Sequence, residues 1–466
     1  MANPYFVTYQ FKDQHLGNGD SLRLKIKIQI DAEGSNETIP AESEDVYITD
    51  LGQKEEDYQI EDLLITPSFY KSELSVPSGS DFRKYFYGKS EERFAKANRN
   101  AEVSLEIKSE GSTTWKEEFL GNIIIKSLDY NPESTRFVFE AAPDMEILGR
   151  TMLYDLDGNP INPFGYPVPT WPYDNDVKLV DLLIDCYKLV NPNLTVSDLN
   201  LQHDWLFYAW LWIDDSFIME EYDWLLSELR IQYASLFFDS GFGIDSVADV
   251  LRYIAREFCC FTGMLSKNKP FFKKVMYSQT PFNLSEDSYL DIDERYELNK
   301  INYVRVDTKW HIDGTTYGEQ AFHAPNAEAF TGLKDTFYNL NNLLAAWIMN
   351  NGTRISNIRA GIRQFDPLTD HYVHGARDPN IHYPGTSTIW YNVVGYPDIV
   401  PIGQLVADFW YNVRSDINKC RLDKIITHNI NVSLLNNVIF GDREYMPLRI
   451  LKRYKELITE IDGIIV

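Results

Sequence analysis

The densest chemistry-bearing stretch of the sequence runs from Trp205 to Trp224. It places Trp205, Phe207, Tyr208, Trp210, Trp212, Phe217, Tyr222 and Trp224 beside Asp204, Asp214, Asp215, Glu220, Glu221 and Asp223. Rings stack on sugar faces, and paired carboxylates move protons or bind hydroxyls, so the mixture suits a glycoside hydrolase or a sugar-binding groove. It equally suits an interface, where Trp and Tyr supply large, rigid contact area. Hydrolysis further needs two acids at a defined separation, which closeness in sequence does not establish. Interface or core is therefore the expectation, with Trp205, Trp210, Trp212 and Trp224 as interface candidates and no residue given a catalytic role.

Three weaker constellations point the same way. His371, His374 and His382 stand near Asp370 and Asp378, but two His three apart hold a metal only if a third ligand converges and outer partners orient the rings. The surrounding Pro367, Gly375, Pro379, Pro384 and Gly385 read as a loop, so no metal is expected there. Cys259-Cys260 ends an amphipathic segment where small apolar side chains pack well, and it lacks a cysteine-protease-like context. Gly241-Phe242-Gly243 has neither a third glycine nor a P-loop lysine, and reads as a turn rather than a nucleotide cradle. No cofactor and no enzymatic activity are expected.

The elements that would position these groups change period along the chain. In Ser21 to Ile30, Leu22, Leu24, Ile26, Ile28 and Ile30 alternate with Arg23, Lys25, Lys27 and Gln29, which predicts a strand with one buried face. The stretch from Asp31 to Glu61 is acidic and predicts a long loop or an exposed hairpin. Further strands are predicted at Ala101 to Lys108, Glu118 to Ser127 and Thr135 to Glu140. Past a Pro- and aromatic-rich linker, Leu179, Leu182, Leu183, Cys186 and Leu189 share a helical face that ends at Asn191-Pro192-Asn193. Ser246 and Asp249 form a capping box for a second helix bearing Val247, Val250, Leu251, Ile254 and Phe258, followed by a hairpin turning at Lys267-Asn268-Lys269-Pro270. Phe337, Leu340, Leu344 and Ile348 predict a third helix over Thr336 to Asn350, stopped by Asn351-Gly352. Residues 364–400 read as a loop, and short strands return from Lys424 to Val466, with a tight turn at Gly441-Asp442-Arg443.

The expected architecture is α+β and multidomain: β-barrel-like N- and C-terminal domains over 1–150 and 301–466, the latter with one helix near 336–350, around a mixed helix-plus-hairpin middle domain over 151–300. Length is consistent with this, since 466 residues make about three ordinary domains. With 69 acidic against 44 basic residues the formal charge is −25, which repels nucleic-acid phosphates and anionic membrane surfaces alike. No run reaches the roughly 18 apolar residues of a membrane span, and the opening Met1 to Tyr5 does not resemble a secretory leader. Four cysteines without zinc or disulfide spacing fit a reducing compartment, where the Asn-x-Ser/Thr triplets carry no glycan.

Four patches together resemble the baseplate hub and tail-tip proteins of tailed bacteriophages. Phe137 to Asp144, running into Met145-Glu146-Ile147-Leu148, is similar to the end of a hub barrel. Val177 to Val190 followed by Asn193-Leu194-Thr195-Val196 resembles the first helix and strand of the middle domain. Val247 to Phe258, with the hairpin ending Pro270-Phe271-Phe272, is similar to the family's most recognisable stretch. Ile425 to Val466, around Asn436 to Gly441 and Tyr445 to Leu448, resembles the closing barrel strands. Trp205 to Trp224 and residues 364–400 lie outside the resemblance.

The resemblance implies a trimeric ring at the tail tip that links the tail tube to baseplate and spike proteins, assembled in the host cytoplasm, with no nucleic-acid site and no membrane insertion. The 29 Tyr, 26 Phe and 10 Trp exceed what one core of this size requires and would serve such subunit contacts. Two other readings stay open: a host-surface glycan-binding or glycoside-hydrolysing tail protein using 205–224, and a distal tail collar ring.

Overall fold

Alternation decides the first sheet. In Ser21–Ile30 (β3), Leu22, Leu24, Ile26 and Ile28 are buried while Lys27 is exposed. The computed structural model describes residues 5–11, 13–30, 35–41, 47–52, 71–77, 101–131, 136–143, 145–157, 161, 163–165, 176–203, 207–213, 216–222, 229–232, 245–257, 260–285, 289–297, 303–312, 315–324, 337–341, 346–350, 353–356, 364–366, 371–373, 409, 411–413, 421–454 and 456–466. Tyr5–Phe11 (β1), Gln14–His15 (β2) and Ala101–Lys108 (β7) all run antiparallel to β3. Glu37–Ala41 (β4) lies parallel to β1. Tyr47–Gly52 (β5), Lys71–Pro77 (β6), Lys116–Asn131 (β8) and Arg136–Ala142 (β9) complete the N-terminal strands, paired β5 to β6 to β9 to β8 to β7. The acidic stretch expected as a loop or hairpin thus holds two strands, β4 and β5, each paired outside the stretch.

The middle of the chain is built on helices whose buried faces follow their sequence spacing. After the short helix Glu146–Arg150 (α1), Asp176–Lys178 (β10) leads into Leu179–Lys188 (α2), where Leu179, Leu182, Leu183, Cys186 and Tyr187 are fully buried. A 3-10 turn at Val196–Asp198, closed by a Thr195/Asp198 capping box, delivers Asn200–Gln202 (β11). Val247–Glu257 (α3) buries Val247, Val250, Leu251 and Ile254, as its spacing predicts. Its cap is reciprocal: the Asp249 N–H donates to Ser246 Oγ at 3.3 Å, and Asp249 Oδ2 accepts from the Ser246 N–H at 3.1 Å. Ser246→Ala is therefore expected to lower stability by about 1 kcal/mol, with Ser246→Thr largely restoring it; equal urea midpoints for all three proteins would contradict the cap's contribution.

Cys260–Met264 (β15) and Pro270–Lys274 (β16) form the predicted hairpin, and β11 joins it parallel to β16. The hairpin is pinned to α2 by a short chain of hydroxyls. Thr262 Oγ1 donates to the Phe271 carbonyl at 2.7 Å, so the buried Tyr187 hydroxyl must be the donor in its 2.5 Å bond to Thr262. Burial pushes the Tyr187 phenol above its usual range and keeps that donor in place.

The segment from Phe207 onward is more strand-rich than its spacing predicts. Phe207–Ile213 (β12) and Ser216–Tyr222 (β13) pair antiparallel, and Leu229–Gln232 (β14) pairs with β10. Phe282–Asn283 (β17), Tyr289–Glu297 (β18), Tyr303–Ile312 (β19) and Thr315–Ala324 (β20) follow. The helix expected over Thr336 to Asn350 is instead two strands, Phe337–Asn341 (β21), parallel to β19, and Ala346–Asn350 (β22), paired with β14 and with Thr353–Ser356 (β23). Asn350 faces Thr353 where β22 and β23 pair, while Asn351-Gly352, expected as a helix stop, lie outside the described residues. Gln364–Asp366 (β24) and His371–Val373 (β25) form a further pair.

The C-terminal strands are Arg421–Thr427 (β26), Val438–Phe440 (β27), Arg443–Arg453 (β28) and Ile458–Ile465 (β29). Phe440 pairs with Arg443 across the predicted tight turn, with Gly441 at φ 63°, a left-handed conformation that glycine adopts without strain. One sheet runs β18-β26-β29-β28-β5-β6-β9-β8-β7-β3-β1-β4, so strands from the two ends of the chain share a single hydrogen-bonded surface. The cores agree with that. Ile430 and Tyr454 pack among Val7, Leu24, Val103 and Phe119, while Leu422, Met446, Leu448 and Ile464 belong to the core of α2, α3 and the β15–β16 hairpin. The architecture is thus mixed and sheet-dominated. Among the described residues no helix is long and apolar enough to cross a membrane.

Candidate functional site

An acidic chain that places two lysines in one hairpin turn marks a point of electrostatic attachment. The turn from Ser266 to Lys269 seats on the β7–β8 strands. Ser266 is fully buried; its hydroxyl donates to Glu117 Oε1 at 2.9 Å and accepts the Leu120 N–H at 3.0 Å. Lys267 Nζ donates to Asn122 Oδ1 at 2.8 Å and to Glu102 Oε2 at 3.3 Å. Asn268 Nδ2 reaches Glu117 Oε2 at 3.0 Å, and Lys269 Nζ reaches the Glu117 carbonyl at 2.5 Å. Charge-assisted bonds of this kind fix orientation more firmly than neutral ones.

The third partner at this junction is β28. Glu118 Oε1 accepts from Lys452 Nζ at 2.7 Å and from the Tyr454 hydroxyl at 3.0 Å. Burial pushes the Glu118 carboxyl up, but Lys452, Lys269 and Tyr454 outweigh it and hold the group below its ordinary value. Strand β8 is therefore tied to the hairpin on one side and to the C-terminal strands on the other.

A second buried network ties the hairpin to the C-terminal strands. Lys273, on β16, is fully buried; its Nζ donates to Asn437 Oδ1 at 3.1 Å and to the Leu434 carbonyl at 3.4 Å, with the Phe261 ring centroid 5.6 Å away. Asn437, also fully buried, donates from Nδ2 to Glu444 Oε1 at 2.7 Å and to the Met276 carbonyl at 3.2 Å. Burial lowers the Lys273 ammonium to about 7, against the pull of Glu444.

Where these three segments meet there is a cavity of about 460 Å³. Its wall carries Glu118, Lys269 and Lys452, the amides of Asn200, Gln202 and Asn436, and apolar side chains that include Ile107 and Ile450. No three His, Cys, Asp or Glu side chains converge on a metal-sized point among the described residues. The arrangement binds segments together and encloses a polar space.

The residues singled out in the sequence lie elsewhere. Trp210 and Trp212 sit on β12, opposite Met219 and Phe217 of β13; Trp205 and Trp224 fall outside the described residues. His371 pairs with Asp366 across β24 and β25, and His374 and His382 fall outside the described residues. Cys260 and Cys186 are buried, and burial pushes the Cys186 thiol well above its usual range, as an inert core cysteine requires. The junction itself was visible in sequence only as the turn Lys267-Asn268-Lys269. The signal that could have marked it is the concentration of positive charge there, opposite Glu117-Glu118 in an otherwise acidic chain.

No family model and no curated protein matches the chain. Solved structures resemble it at low identity. One is the crystal structure of the 43 kDa tail protein of prophage MuSo2 from Shewanella oneidensis, at 9% identity over 96% of this chain and 98% of that one, TM-score 0.42. Another is a tail protein from Neisseria meningitidis MC58, at 8% identity over 91% and 92% of the two chains, TM-score 0.39. A third is a chain of the virion of a native gene transfer agent particle, at 9% identity over 98% and 80%, TM-score 0.30.

Proposed function

We propose that the chain is a structural component of a phage tail tip, a hub ring that links the tail tube to baseplate and spike proteins. The observation that carries this reading is the single sheet shared by N- and C-terminal strands, with the helix-and-hairpin unit held to the first by Ser266 to Lys269 and to the second by Lys273–Asn437. That is the β, helix-plus-hairpin, β order which the sequence patches resemble. A ring subunit must pass load from one neighbour to the next without its parts turning against each other, and charge-assisted bonds between segments distant in sequence serve that need.

In this reading residues 1–150 and 301–466 supply two barrel-like domains, and 151–300 the middle domain. Three copies close a ring whose doubled barrels present a platform to the tube and the spike. Trp205, Trp210, Trp212 and Trp224 are assigned to subunit contacts. The charge of −25 lets DNA pass a central channel without the counterion release that would make it bind.

Immunogold labelling tests the location. Antibody against the chain is expected to decorate the tip of the tail on particles purified from the source strain. Decoration of the head or the tail sheath, or particles that lack the chain altogether, would overturn the reading. Labelled tips on particles that lose glycan binding in a Trp210→Ala/Trp212→Ala variant would transfer the role to host-surface recognition.

A further inference from the structure

The cavity at the three-way junction has features of a binding site that a mechanical joint does not require. We propose that it takes a small, uncharged, hydroxyl-rich molecule of about one or two sugar rings. Its volume of about 460 Å³ lies within the range of pockets that enclose small ligands. The polar groups in its wall are chiefly amides and hydroxyls, brought together from three separate stretches: Asn200 and Gln202 on β11, Gln279 and Thr280 after β16, and Asn431, Ser433 and Asn436 ahead of β27. Such groups both donate and accept, as a ring of ligand hydroxyls does.

The charges in the wall are already engaged. Lys452 serves Glu118, and Lys269 serves the carbonyls of Glu117 and Glu118. A neutral polyol enters with these bonds intact and adds no further charge beside Glu118, Lys269 and Lys452. Gln202 adds the sharper indication. It is 7% exposed, its Nε2 donates to Asn200 Oδ1 at 3.2 Å, and its Oε1 is buried with no partner. A buried acceptor without a donor is costly, and a ligand hydroxyl supplies that donor once the amide turns toward the cavity. Acetate, which has no donor to offer, leaves it unmet. Ile107, Leu265 and Ile450 line the same space and offer an apolar surface to the C–H face of a sugar ring.

Saturation-transfer NMR and calorimetry on the full chain, with glucose, N-acetylglucosamine and maltose as probes and phosphate and acetate as charged comparators, test the proposal. At least one sugar is expected to bind. Gln202→Leu should weaken it by about tenfold or more, equivalent to roughly 1.4 kcal/mol, without moving the unfolding midpoint downward. Asn431→Ala, an exposed position on another wall, should weaken it as well, and serves if the Gln202 variant does not fold. Trp210→Ala/Trp212→Ala should leave this binding intact. Binding of phosphate alone, no binding by any sugar (a cavity that holds water only), or loss in the double Trp variant but not in the cavity variants would each overturn the proposal. None of these outcomes depends on where the chain sits in a particle.

Discussion

Phe272→Ala is expected to lower the stability of the folded chain by roughly 3–5 kcal/mol, the range for removing a fully buried aromatic ring and leaving a cavity. Phe272 is fully buried at the centre of its three-stranded sheet, opposite Leu201 on β11 and Thr262 on β15. It packs in the core that α2 and α3 share with Leu422, Met446 and Ile464 of the C-terminal strands. The loss should therefore spread beyond the hairpin, because the turn that carries Lys267 and Lys269 is held out by β15 and β16 on its way to β7 and β8. Urea denaturation followed by tryptophan fluorescence and circular dichroism measures it. Leu156→Ala, at a fully exposed residue, is the control and should change stability by less than about 0.5 kcal/mol. A Phe272→Ala protein that unfolds at the same midpoint as the control would contradict the placement of the hairpin in a shared core.

Lys273 makes stability depend on pH in an unusual direction. Its ordinary value is 10.5 and burial lowers it to about 7 in the folded chain, so between those values the unfolded chain holds a proton that the folded chain lacks. Stability then rises with pH across that window, with a slope from this one group approaching 1.4 kcal/mol per pH unit. Below about pH 7 both states carry the proton, and the full cost of burying the ammonium opposes folding. Lys273→Met keeps similar volume and removes the titration. The variant leaves Leu434 O and Asn437 Oδ1 short of a donor, a loss that does not change with pH. Stability of wild type relative to variant is therefore expected to climb from about pH 7 to about pH 10, read as the difference in urea midpoints. Parallel curves would show that Lys273 keeps an ordinary ammonium and is not sealed among Asn437, Phe261 and Leu434.

What the sequence made legible was local. Ser246 and Asp249 announce a cap through residue types three apart, and Val247, Val250, Leu251 and Ile254 announce the buried face that follows, because both depend on neighbours within one or two turns of helix. Gly441-Asp442 was readable for the same reason. The helix expected over Thr336 to Asn350 failed because Phe337, Leu340, Leu344 and Ile348 make a helical stripe in sequence, whereas the partners that decide for strands, β19 for β21 and β14 for β22, lie upstream and outside any local window. The junction was hidden for a related reason. Nothing near Lys267 shows that Glu102, Glu117 and Asn122 come to meet it, and Lys273 looks like any lysine at the end of a strand until Asn437 closes over it. Trp210 and Trp212 stood out by type, and their strand was missed because an aromatic, acidic run has no clean period of its own.

The proposal that this chain is the subunit of a tail-tip ring makes one demand on the isolated molecule, which is that copies of it close on each other. Negative-stain imaging with mass photometry on the purified full chain at micromolar concentration measures this directly. The expected result is a closed particle of three copies, with a mass three times that of the chain and six similar lobes around a central opening. A stable monomer at that concentration would contradict it.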